Sequence, residues 1–162
     1  MKGFVFDASP LIYLGKVGLL RKTLGISAKN VIPKAVHEEV VNSGEGYPDA
    51  SIIKDLISAG RIHVIGVRVS PDIEKLPVSR ADREVIQLAH QENYTAVMDD
   101  QDLRAMAEHK GVDCVGTFFM ILHLIHKKEL SKKQALDKLD QMIKEGWYCS
   151  TEFYSVIRKE LG

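Results

Sequence analysis

Asp7, Glu39, Asp82 and the adjacent pair Asp99 and Asp100 are the side chains of this sequence best suited to chemistry. All five are carboxylates. The two cysteines, Cys114 and Cys149, fall in no metal-ligand spacing, and no histidine cluster suggests zinc. A buried carboxylate without a partner is costly, and several gathered without matching cations repel one another. The usual resolution is a bound divalent ion. Oxygen donors alone suit Mg2+ or Mn2+. That chemistry requires the acids to meet, so the elements that carry them decide the matter.

Asp7 ends the apolar run Phe4-Val5-Phe6, the pattern of a buried parallel strand that delivers a carboxylate to its C-terminal end. Ser9 is expected to cap the helix that follows, with Pro10 at its first position, leaving Asp7 free. In open α/β sheets the ligand crevice lies at such strand ends. Thr95 to Met98 reads as a second strand, ending in Asp99 and Asp100. A helix from Lys34 to Val41 follows Pro33. Its apolar positions Ala35, Val36 and Val40 put Glu39 on the inward side and Glu38 on the outward side. A helix from Arg80 to Gln91 follows Ser79. There Asp82 shares the face of Val85, Ile86 and Ala89, while Glu84 points away.

Each acid also has a purely structural use. Asp82 stands at the capping-box position after Ser79. Glu39 can pair with a lysine or arginine. Asp99 and Asp100 can terminate a strand or cap a helix beginning near Leu103. It is the arrival of separate acids at one sheet edge that favours a site.

The remaining elements complete an alternating pattern. Strands are expected at Asn30–Ile32, Arg61–Ile65 and Val112–Val115. Helices are expected at Ala50–Ile57, Leu103–His109, Phe118–His126, Ala135–Lys144 and Thr151–Leu161, with one or two short ones after Asp7. A loop runs through Gly46 to Pro48, and Gly66 to Pro77 is a connection. The helix from Phe118 is apolar almost all round and must be buried, in the core or partly at a dimer interface. Ser131 and Gln134 form a capping box, and Trp147 and Tyr148 are expected to fold back onto the core. Alternating strands and helices imply a three-layer α/β/α fold around a parallel sheet of about five strands, with a helical C-terminal extension. One domain is expected, with residues 1–128 as the α/β core and 129–162 as a helical cap.

The bulk composition narrows the partners. The chain has 162 residues, 45% hydrophobic and 27% charged, a balance that argues against disorder. Lys+Arg and Asp+Glu are 22 each, so no overall basic field marks a nucleic-acid binder, although a local patch escapes such a sum. The N-terminus lacks the pattern of a signal peptide, no apolar run reaches membrane-spanning length, and nothing demands a disulfide. These features suit the cytoplasm. The absence of a glycine-rich phosphate loop argues against an NTPase. His37, beside Glu38, and His123 and His126, on the apolar helix, sit in no catalytic pattern.

The ordered set resembles the PIN-domain family, the Mg2+/Mn2+-dependent ribonucleases that include VapC-type toxins. The residues that carry the likeness are Asp7 after the first strand, Glu39 in the segment from Pro33 to Val40, Asp82 in the segment from Ala81 to Ala89, and Val97-Met98-Asp99-Asp100 with Arg104 and Ala107 beyond. Ser9-Pro10-Leu11-Ile12, Gly116-Thr117 and Gly146-Trp147 are similar to a small prokaryotic branch of that family. The resemblance implies an acidic catalytic site at Asp7, Glu39, Asp82 and one of Asp99 and Asp100. Asp100 matches better, because Asp102 and Leu103 then fall where the family often has an acid and an aromatic. It also implies substrate contacts at Ser9, Thr117 and Arg104, hydrolysis of RNA, a homodimer and a small antitoxin partner. Lys16, Arg80 and Arg83 are further cations near the motifs, and Arg104 can equally pair with Asp100 from the next helical turn. The alternative is a catalytically degenerate PIN-like module that binds RNA or a protein without cutting.

Overall fold

The structure is a computed structural model that describes residues 2–42 and 48–162. The expected turn after Asn42 and the loop through Gly46 and Tyr47 lie outside the described residues. Five strands, β1 (Phe4–Phe6), β2 (Asn30–Pro33), β3 (His63–Ile65), β4 (Thr95–Val97) and β5 (Cys114–Val115), form one parallel sheet in the order β3-β2-β1-β4-β5. Phe4, Val5 and Phe6 are all fully buried although successive side chains point to opposite faces, so helices cover β1 on both sides. This is the expected three-layer α/β/α architecture.

The order reverses direction between β1 and β4. The chain leaves β1 toward β2 on one side and enters β4 on the other, and such a switch point opens a crevice at the carboxyl ends of the two strands. Phe4, Val5 and Phe6 lie opposite Thr95, Ala96 and Val97, and the Asp7 N–H donates to the Val97 carbonyl at 2.9 Å. Register alone therefore brings Asp7 beside the segment that carries Asp99.

The helices are α1 (Ala8–Lys16), α2 (Leu20–Leu24), α3 (Lys34–His37), α4 (Pro48–Ser58), α5 (Pro71–Glu74), α6 (Arg80–Glu92), α7 (Gln101–His109), α8 (Thr117–His126), α9 (Lys132–Lys144) and α10 (Thr151–Leu161). Helix α6 packs on β1, β2 and β4 and against α3, while α1 packs on α4. The connection expected at Gly66 to Pro77 contains the turn α5. The helix expected from Lys34 to Val41 instead changes to a π-helical turn over Glu38–Asn42. Such turns insert an extra residue and re-aim the side chains beyond it.

Helix α6 departs from the simple two-faced reading. Ala81, Glu84, Val85, Ile86, Gln87, Leu88 and Ala89 are all buried. Glu84 does not point to solvent. Its Oε1 accepts from the Ala35 N–H at 3.2 Å and its Oε2 from the Arg80 Nε–H at 2.8 Å. It serves the first turn of α3, where backbone donors lack intrahelical partners.

The C-terminal helices extend the core rather than stand apart from it. Helix α9 packs against α1, α8 and α10, and one hydrophobic cluster runs from Phe4 to Leu161. The capping box of Ser131 and Gln134 forms as expected. Gly146 ends α9 at φ 109°, a conformation that side-chain-bearing residues rarely adopt, and the chain turns back so that Trp147 is buried. Tyr148 differs from the expectation: it is 84% exposed.

Candidate metal centre

Asp7 is half-buried at the end of β1. Its carboxylate caps α1, Oδ1 accepting from the Ala8 N–H at 2.9 Å, so the helix starts two residues earlier than a Ser9 cap would place it. Ser9 is half-buried in the first turn of α1, and Pro10 is its third residue rather than its first. Burial pushes the Asp7 carboxyl up to about 7, opposed by the Ala8 N–H and reinforced by the charges of Asp82, Glu39 and Asp99. The four acids thus form one electrostatic unit.

Asp82 and Glu39 make the second flank. Asp82 completes a capping box at the start of α6: its N–H donates to Ser79 Oγ at 3.1 Å and its Oδ2 accepts from the Ser79 N–H at 3.4 Å. Glu39 projects from the π-helical turn, open to solvent on one side. Partial burial and the neighbouring Asp82 charge raise its pKa above the ordinary value.

The adjacent acids after β4 divide their work. Asp99 turns into the fold, where its Oδ1 accepts from the Thr117 N–H at 2.7 Å. Its Oδ2 accepts from Thr117 Oγ1 at 2.8 Å and from the Trp147 indole N–H at 3.0 Å. Asp100 is exposed and caps α7, accepting from the Leu103 N–H at 2.9 Å. Of the two acids it is Asp99 whose charge acts on Asp7, whereas Asp100, the better match by resemblance, caps a helix terminus. Thr117 is buried and holds Asp99 rather than lining an outer rim. Gly116 allows this close approach, since a Cβ there would lie 3.2 Å from Asp99 Oδ1 and 3.3 Å from an Arg104 nitrogen.

Three of the four cations near these motifs have acidic partners. Lys16 pairs with Asp49 at 3.5 Å, Arg80 with Glu84, and Arg83 with Glu74 at 3.6 Å. Arg104 makes no ion pair with Asp100 among the described residues, and it stands beside Gly116 and Asp99. His37 and His123 are half-buried and His126 is exposed, and none of them acts on Asp7. Burial and acidic neighbours push the Cys114 thiol up to about 12, which makes it inert as a nucleophile or metal ligand.

The donor set suits a hard divalent cation: four carboxylates whose charges act on one another, with Asp7 half-buried among them. Among the described residues no three His, Cys, Asp or Glu side chains stand close enough to enclose an ion by themselves. The residues present fit a divalent ion that would be held by carboxylate oxygens.

The partner that a sequence reading missed is Trp147, the only tryptophan in the chain, which reaches Asp99 from 48 residues away. The one local signal was its place directly after the helix-ending Gly146.

Comparison with known proteins places these features in a wider group. No curated protein matches the chain. Among solved structures, the fold is similar to that of a PilT N-terminus domain protein from the hyperthermophilic archaeon Sulfolobus solfataricus. The TM-score is 0.55 at 17% identity, covering 73% of this chain and 89% of that one. A domain of a functionally unknown protein from Methanocaldococcus jannaschii aligns with a TM-score of 0.49 at 20% identity, over 72% of this chain and 91% of that one. The model of a family described as a PIN domain matches residues 3–162, essentially the whole chain, and the chain belongs to the PIN-domain family.

Proposed function

We propose that this protein is a metal-dependent endoribonuclease, of the kind that acts as the VapC-like toxin of a toxin-antitoxin pair. PIN domains are commonly nucleases and typically use divalent metal ions. The observation that carries the reading is the gathering of Asp82, Glu39 and Asp99 around Asp7 at the end of β1, where burial and their charges raise the Asp7 carboxyl to about 7. A group so placed is disfavoured as an anion until a positive charge arrives.

Asp7 and Asp99 would hold Mg2+ or Mn2+, with Glu39 and Asp82 binding through water. A bound ion of this type lowers the pKa of a water and neutralises charge on a phosphate. The chain's own contributions are orientation and proton handling. Thr117 and Trp147 fix both oxygens of Asp99, so that carboxylate reaches the site without reorganising. Glu39, open to solvent and raised in pKa, is the member able to take a proton from an attacking water. Arg104 is the cation best placed to meet a substrate phosphate.

Mn2+-dependent cleavage of a mixed RNA panel, by wild type and by Asp7→Asn, tests this. Wild type should cut with Mn2+ and stop with EDTA, and the variant should lose activity. A wild type that binds Mn2+ yet cuts nothing removes the nuclease reading.

A second reading is a degenerate PIN-like binding module. It draws on the absence of a three-acid enclosure among the described residues and on the balanced charge. It predicts RNA or protein binding that Asp7→Asn leaves unchanged. By family resemblance we also propose a homodimer, an antitoxin partner and a cytoplasmic location. None of the described helices is long and apolar enough to cross a membrane.

A further inference from the structure

The C-terminal segment, α8 and the start of α7 wall a cleft of about 470 Å³ beside Asp99. One side is aromatic. Phe118 and Phe153 meet edge to face at 5.5 Å, and Trp147 meets Phe153 at 6.4 Å. Phe119, 40% exposed, and Tyr148, 84% exposed, stand in the same wall, and they are two of the three large apolar side chains exposed among the described residues. The lining also holds the polar, mostly acidic group Asp99, Asp100, Asp102 and Arg104.

This lining selects its occupant. Aromatic faces favour a flat π-system, since stacking needs no particular base. The carboxylates of the lining accept N–H donors, and Arg104 among them is left for an adjoining phosphate. An apolar peptide side chain would suit the aromatic wall and leave the carboxylates unmatched. An unpaired nucleobase with an exocyclic amino group satisfies both sides. Asp99 belongs at once to the cleft and to the acidic unit around Asp7, so a strand with its phosphate at that unit can turn an adjoining base into the cleft.

We infer that the cleft between α8 and the C-terminal segment binds an unpaired adenine, cytosine or guanine of single-stranded RNA, stacked on its aromatic wall beside Asp99. The choice of RNA as the polymer rests on the ribonuclease reading; the base-binding chemistry does not. The C-terminal segment thereby becomes a specificity element as well as a cover for the core.

Trp147 lines the cleft and is the sole tryptophan, so its fluorescence reports occupancy without turnover. The full-length protein, in EDTA, is titrated with AMP, CMP, GMP, UMP and ribose 5-phosphate. Saturable quenching is expected with the first three. UMP, whose base offers only its N3–H, should bind more weakly, and ribose 5-phosphate much more weakly still. Phe119→Ala and Tyr148→Ala, at exposed positions, should each weaken binding roughly tenfold, within the range for loss of a stacking partner. Quenching by no nucleotide, equal quenching by ribose 5-phosphate, or unchanged affinity in both variants overturns the inference. So does saturable binding of a Leu-rich amphipathic peptide with none of the nucleotides, which would assign the cleft to a protein partner. RNA cleavage in Mn2+ separates the two claims. Cleavage without base binding leaves the nuclease reading and removes the cleft, whereas base binding without cleavage does the reverse.

Discussion

Asp7→Asn is expected to stabilise the metal-free protein at pH 8 while abolishing its response to metal. Asparagine keeps a side-chain oxygen for the Ala8 N–H and remains a good helix cap, so the start of α1 is preserved. What disappears is a buried negative charge facing three others. The Asp7 carboxyl moves from its ordinary 3.8 to about 7 on folding. A rise of about 3 units corresponds to roughly 4 kcal/mol of preference for the neutral form. The native state binds the extra proton between those two values, so stability falls as pH rises. The Asp7 contribution is fully present below about pH 4 and is lost above about pH 7.

Relaxation around the charge and a weaker neutral hydrogen bond reduce the gain, leaving about 1–3 kcal/mol for the variant at pH 8. For a chain of this size that is a rise in Tm of roughly 2–10 °C. The assay is thermal unfolding of wild type and Asp7→Asn from pH 4 to pH 8.5, in EDTA and then in Mn2+. The two curves should converge at low pH and separate as pH rises, and Mn2+ should lift the wild type alone. If Asp7→Asn is less stable than wild type at pH 8 in EDTA, Asp7 is not the strained charge that the site requires.

Other substitutions separate structural from site roles. Glu84→Ala should cost about 1–3 kcal/mol, because it leaves the buried Ala35 N–H without an acceptor, yet Mn2+ affinity measured by electron paramagnetic resonance should stay the same. Trp147→Phe and Thr117→Val each remove one donor from Asp99 and preserve bulk. Their Mn2+ affinity should fall by roughly 10-fold or more, the range for groups that orient a ligand. Unaltered affinity in both would show that Asp99 does not need its two holders.

The sheet and its acidic edge were legible because they depend on local patterns. An apolar run ending in an acid marks β1 with Asp7, and again β4 with Asp99 and Asp100. The capping boxes of α6 and α9 were likewise written in residues three apart. Which of Asp99 and Asp100 turns into the fold was not a local matter. It is decided by Thr117, 18 residues on, and by Trp147, 48 residues on. The same holds for Glu84, whose acceptor role is created by Ala35 from another helix. The π-helical turn at Glu39 was missed because no residue type in that stretch distinguishes it from an α-helix. Ser9 looked the better cap by its type, but backbone pairing of Asp7 with Val97 fixed Asp7 at the helix start.

The most direct test of the central claim is the rate of Mn2+-dependent RNA cleavage by Asp99→Asn and Asp100→Asn beside wild type. The acidic unit around Asp7 predicts that Asp99→Asn loses more than the roughly 10–100-fold typical of a residue that only orients a ligand, and that Asp100→Asn stays within a few-fold of wild type. Equal activity of Asp99→Asn and wild type, or loss confined to Asp100→Asn, would contradict it.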